Sequence, residues 1–157
     1  MSRTQSPDPM DRMGVYKKLD DVPSERRFEQ YYDQYEGNDT YETFLTEFLF
    51  EKFDSDRTKE KYRLAGRRWK AHIATRGRHH ALARPADVEA WMADLLDQVS
   101  LNTVYNIYWV KLERFYQWLQ NHPNHPHTYH PVLMAAANFD HAGIVWEKKI
   151  SRGRKRE

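Results

Sequence analysis

Four of the eight histidines in this chain stand close together, as His122, His125, His127 and His130. Their pattern is H-x2-H-x-H-x2-H, and neutral imidazoles at that density can bind zinc or nickel. Proline and polar residues fill the gaps, and no acidic residue sits beside them to orient a ligating ring. The opposing reading is a surface crossing in which the rings pack on aromatics or cap helix ends. That reading is preferred, so neither a metal nor another cofactor is expected. The sequence has no cysteine, which excludes disulfides, thiol catalysis and thiolate metal sites. It contains no Gly-rich phosphate loop and no G-x-S-x-G turn. Its carboxylates fall on the solvent faces of predicted helices, where they read as solubility rather than as paired acids.

A second set of residues carries a different chemistry. Residues 57–84 hold ten Lys or Arg against one acid, Glu60, a net charge of +9. Residues 1–56 hold seven basic and fourteen acidic side chains, a net of −7, and residues 85–157 balance at eight of each. The overall +2 therefore hides one concentrated positive block. Such a block raises the local concentration of anions and favours a polyanionic partner. Its competing reading is a solvated helix face.

The elements that must hold this block are helical. Ser55 and Asp56 supply cap chemistry for a helix from Arg57 to about Arg76, with Gly77 just past its end. Its apolar side is Tyr62, Ala65, Trp69 and Ile73. Arg57, Lys61 and Arg68 lie on one flank, and Lys59, Arg63 and Lys70 on the other. At 1.5 Å per residue the helix is about 30 Å long, close to one turn of duplex DNA. The loop after it contributes Arg76, Arg78, His79, His80 and Arg84, and Pro85 opens a helix running to about Asp97.

The centre of the fold is predicted at Ser100 to Leu119. Val104, Ile107, Tyr108, Leu112, Phe115, Trp118 and Leu119 share one helix face, widened by Tyr105, Trp109 and Tyr116. A helix apolar over so broad an arc must be enclosed. Asn102, Thr103, Asn106, Val110, Arg114 and Gln117 remain for solvent or a partner, and Ser100 is the N-cap. An earlier helix from Thr40 to about Phe53 buries Phe44, Leu45, Phe48, Leu49 and Phe53. VLMAAAN, near residue 134, is a short fifth helix. Aromatics make up 14% of the chain, and Trp69, Trp91, Trp109 and Trp118 read as core rather than as stacking platforms.

The remainder reads as flexible. Residues 1–39 form an acidic, largely disordered arm with a short helix at 24–36, residues 40–138 form the domain, and residues 139–157 form a basic tail or linker. No apolar run approaches the roughly 20 residues needed to span a bilayer, and no signal-peptide core follows the polar N-terminus. A cytoplasmic protein without membrane contact is expected.

Three motifs occur in order along this framework. Ser55, Thr58 and Tyr62 give Ser-x-x-Thr-x-x-x-Tyr; Ala86-Asp87-Val88 to Leu95 give an acidic-headed helix; Ser100 and Thr103 lead to Phe115-Tyr116-Gln117-Trp118-Leu119. Together, over about Thr40 to Met134, they resemble the N-terminal core-binding (SAM-like) domain of tyrosine recombinases, or phage integrases. The exit Tyr129-His130-Pro131-Val132 looks most like archaeal members. The resemblance implies an all-α, four-helix domain forming half of a clamp on a recombination site, with the starts of its second and fourth helices facing duplex DNA. Carried over, those residues are Arg57, Thr58 and Lys61, and Asn102, Thr103 and Asn106.

Arg68, Arg78, His79, Lys111 and Arg114 complete the expected DNA-binding set, with Lys111 at the edge of the apolar arc, its stem packed and its ammonium reaching out. Cations would hold phosphates, and Asn102 or Asn106 could read an adenine edge. The family's catalytic domain carries a tyrosine nucleophile and a His-x-x-Arg motif, and the sequence to Glu157 contains no His-x-x-Arg. The expectation is DNA binding without cleavage, with double-stranded DNA, a recombinase or further copies of the chain as partners. The alternative is a protein-interaction or regulatory module acting on a full-length recombinase, through the Tyr-rich acidic segment and the basic tail.

Overall fold

The computed structural model describes residues 6–156, with side chains described through residue 151. It is all-helical, and no strand occurs among the described residues. Helix α1 is Tyr32–Tyr35. Helix α2, Thr40–Phe44, starts where the Asp39 carboxylate accepts from the Glu42 N–H at 3.1 Å, and it continues as a π-helical turn, Leu45–Leu49. The Ser55 hydroxyl caps α3, Asp56–Thr75, by accepting from the Thr58 N–H. Gly77 leaves that helix with φ +74, a left-handed conformation that L side chains adopt rarely.

Helix α4, Pro85–Gln98, begins with proline at its first position, where a missing N–H costs nothing. Ser100 then caps a continuous helical rod in three parts: α5, Leu101–Thr103; a π-helical stretch, Val104–Trp109; and α6, Val110–Asn121. Helices α7, Pro131–Asn138, and α8, Asp140–Arg156, close the chain.

The rod is enclosed as its pattern requires. Val104, Trp109, Phe115, Tyr116 and Leu119 are fully buried, and Trp69, Phe44 and Phe28 meet them from three other segments. All four tryptophans read as core are buried. Helix α3 lies antiparallel to the rod, since Arg68 reaches Tyr108 while Tyr62 meets Arg114. Gly66 is where α2 and α3 touch most closely: a Cβ there would stand 2.3 Å from the Tyr41 ring. That approach lets the Tyr41 hydroxyl donate to the Tyr62 carbonyl at 2.7 Å.

Three expectations are corrected. Residues 6–39 do not form a loose arm: Met13, Val22, Phe28 and Tyr35 are buried in the common core. Phe28 stacks on Tyr129 with ring centroids 3.9 Å apart, and its N–H donates to the Tyr129 hydroxyl. Nor is the end of the chain a flexible tail. Ala142, Val145 and Trp146 bury one stripe of α8 against α4 and α7, so the domain does not stop at residue 138. The Trp146 indole donates to the Pro7 carbonyl at 2.7 Å, tying the last helix to the N-terminal segment. Finally, Phe48 is 37% exposed rather than inward, because the wider π turn carries it off the stripe of Phe44 and Leu45. No helix among the described residues is long and apolar enough to cross a membrane.

Candidate nucleic-acid interface

The basic block divides into two parts with different fates. Residues 76–84 form a loop whose middle, Ala81 to Ala83, is buried. Buried backbone needs hydrogen-bond partners, and aromatic and imidazole groups supply them. The Trp69 indole and the Tyr116 hydroxyl both donate to the His80 carbonyl, at 2.9 and 2.8 Å. The Ala83 N–H donates to the Tyr116 hydroxyl, and His127 Nε2 lies 2.7 Å from the Ala81 carbonyl.

Asp87 anchors the same loop. Its carboxylate is wholly buried at the third position of α4; it takes the Arg84 N–H at 2.8 Å, pairs with Arg76 Nε, and lies 3.3 Å from Arg78 Nε. Arg84 also faces Glu29. Arg78 and His79, expected on DNA, are therefore engaged within the protein. His79 accepts from the Ala81 N–H through Nδ1, and its Nε2 meets the Asn38 carbonyl at 2.8 Å. Their charge and position in the sequence pointed outward, whereas the buried Asp87 and the buried loop hold them in.

The four clustered histidines are likewise structural. His127 and His130 are buried, not laid on the surface, and His130 Nδ1 accepts from the Leu133 N–H to cap α7. His125 meets the Tyr35 hydroxyl, and His122 accepts from the Asn124 N–H. Burial pushes His127 and His130 down to about 4, and His80 to about 3. His80 accepts from the Tyr41 N–H through Nε2, a role only the neutral ring can fill. Among the described residues no group of three or more His, Asp or Glu is arranged to hold a metal ion.

The other part of the block stays open. On α3, Arg57 and Lys61 are exposed and face no carboxylate within 4 Å among the described residues. Arg68 donates to the Tyr108 hydroxyl at 2.8 Å, and Arg114 on α6 donates to the Tyr62 hydroxyl at 2.7 Å. The two tyrosines orient these arginines without neutralising them. By contrast, Arg63 and Lys70 on the far flank are paired with Glu42 and Asp39.

Between the open cations sits Lys111, only 7% exposed. Its ammonium donates to the Asn106 carbonyl at 2.9 Å and lies 5.0 Å above the Tyr62 ring. The expected outward reach is corrected: the ammonium is folded into the seam between the rod and α3. Burial, then the nearby Lys61 and Arg114 charges, push its pKa down to about 8. The sequence could not show this, because the tyrosine that receives the ammonium lies on another helix.

The start of the rod is polar, as its pattern indicates. Ser100 Oγ accepts from the Thr103 N–H and donates to the Thr103 hydroxyl, and the Asn106 amide donates to Asn102 Oδ1 at 3.0 Å. Asn102 is exposed, and Thr103 and Asn106 are half-buried. Because α3 and the rod are antiparallel, this start lies opposite the far end of α3 from Arg57 and Thr58. Thirteen residues separate Arg57 from the level of Asn106, a rise of about 20 Å. The two predicted ends thus form the poles of one line, with Lys61, Arg68, Lys111 and Arg114 between them.

A row of cations not paired with carboxylates can hold successive phosphates, and the exposed Asn102 amide at one pole can reach a base edge. No family model, curated protein or solved structure matches this chain.

Proposed function

We propose that this chain binds duplex DNA along the face shared by α3 and the 101–121 rod. One observation carries the reading: Arg57, Lys61, Arg68, Lys111 and Arg114 gather on that face while every carboxylate pairing of the basic block lies elsewhere. Arg57, Lys61, Arg68 and Arg114 would hold phosphates, with Lys111 buried between them, and Asn102 and Asn106 would meet the major groove. The motif order in the sequence supports placing this binding in the core-binding half of an integrase-like recombinase. In this reading the chain holds a recombination site in the cytoplasm and cuts no DNA itself.

The test is fluorescence anisotropy with a labelled duplex of about two helical turns, titrated across salt concentrations. Phosphate contacts from the four exposed cations predict a log–log slope of about −3.6. Arg57→Ala or Lys61→Ala should lower that slope by about one and weaken all sequences alike. Affinity that does not respond to salt rules the reading out.

A further inference from the structure

A groove of about 370 Å³ opens where the π turn at Leu45–Leu49 faces the end of α6. Phe48, Leu49, Phe53 and Trp118 form its floor and walls, while Lys52, Arg114, Gln117 and Asn121 supply its polar groups. No carboxylate lines it. Phe48 is 37% exposed, with the Lys52 ammonium 4.3 Å above its ring. Gln117 and Asn121 are exposed one turn apart on the same helix.

These groups match the parts of a nucleotide. Phe48 takes a base by stacking as the Lys52 ammonium moves from its ring to the adjoining phosphate, and amides offer a donor and an acceptor to the base edge. The cations suit the flanking phosphates. Arg114 belongs both to this groove and to the open cationic line, so the two surfaces are continuous at the Arg57 pole.

We propose that this groove binds one unpaired nucleotide continuing from a duplex held on the α3 and rod face. The inference rests on the duplex-binding reading above. It adds a preference for DNA with a single-stranded extension, such as a processed or nicked end. The lining selects this occupant: two cations and no carboxylate call for an anion, and a nucleotide joins a phosphate, a base edge and a stacking face in one unit.

The experiment compares a blunt duplex with the same duplex carrying a two-nucleotide single-stranded extension, at fixed salt. The extended duplex should bind about tenfold tighter, and an abasic extension should lose that gain. Phe48→Ala should erase the preference while leaving blunt-duplex affinity unchanged, and exposed Gln117→Ala should reduce it without disturbing packing. Equal binding of blunt and extended duplexes overturns the nucleotide pocket and leaves duplex binding standing. No binding to either overturns both. Self-association that disappears in Phe48→Ala, with no preference for extended DNA, assigns the groove to a second copy and also overturns the proposal.

Discussion

Arg57, Lys61 and Arg68 belong to the same basic stretch as Arg76, Arg78 and Arg84, yet the two triplets do opposite work. The second is turned inward on Asp87 and Glu29 and holds a buried loop in place. The first has hydroxyl partners or none and stays available to an external anion. Residue type is the same in both; what differs is whether a carboxylate is within reach. Net charge over a window therefore overstates the surface available to an external anion, and counting pairs in space corrects it.

The comparison breaks most readily in acid. His80 and His130 accept from backbone N–H groups only as neutral rings, and burial disfavours the charged form of His127 as well, with pKa values of the three held near 3, 4 and 4. Between about pH 4 and 6.5 the unfolded chain binds these protons and the folded chain does not, so stability falls as pH falls. Each histidine contributes about 1.4 kcal/mol per pH unit, so the three together give about 4. Urea unfolding from pH 7 to 5 measures this slope, and His127→Gln should flatten it by about a third. The open face, built on Arg57, Lys61, Arg68 and Arg114, contributes no histidine of this kind.

Next in size is the buried carboxylate. Asp87→Ala leaves two arginines and the first turn of α4 without their acceptor, and should cost about 3 kcal/mol in thermal or urea unfolding. Arg57→Ala should change stability by less than about 0.5 kcal/mol. Equal effects at the two positions would erase the distinction between closed and open regions.

The smallest effect lies where the two behaviours meet. Lys111 is buried like the closed set and unpaired like the open set. Its pKa is held below the ordinary lysine value, so at neutral pH the folded state bears a charge it disfavours. That penalty is relieved as pH rises from about 8 toward 10.5, the range in which only the unfolded chain keeps the proton. Lys111→Met should stabilise the fold by about 1 kcal/mol while weakening DNA binding. Loss of stability instead would show that the ammonium's bond to the Asn106 carbonyl outweighs its burial.

The rod and its caps were legible because periodicity and cap chemistry are local. Ser55, Ser100 and Gly77 mark the ends predicted for them, and Val104 to Leu119 bury the face predicted. The packing of residues 6–22 was not legible, because Met13 and Val22 are single anchors spaced without a helical period, whereas the short helix expected at 24–36 appears as helical turns at Ser24–Arg26, Phe28–Tyr31 and Tyr32–Tyr35. Helix α8 did carry a signal: Ala142, Val145, Trp146 and Lys149 recur at helical spacing, though the flanking basic run masked it. At the site, Arg57, Lys61 and Arg114 could be read from charge and face. The inward fates of Arg78, His79 and Lys111 could not, since each is decided by a partner on another segment.

The π-helical stretch Val104–Trp109 sets the phase between Asn102 before it and the cations after it. A helix advances about 100° per residue, so removing one residue from this stretch would turn Lys111 and Arg114 by roughly a quarter of the circumference relative to Asn102. The rod thus works as a vernier: a single-residue insertion or deletion, rather than any substitution, is the change that realigns its polar start with its cationic end.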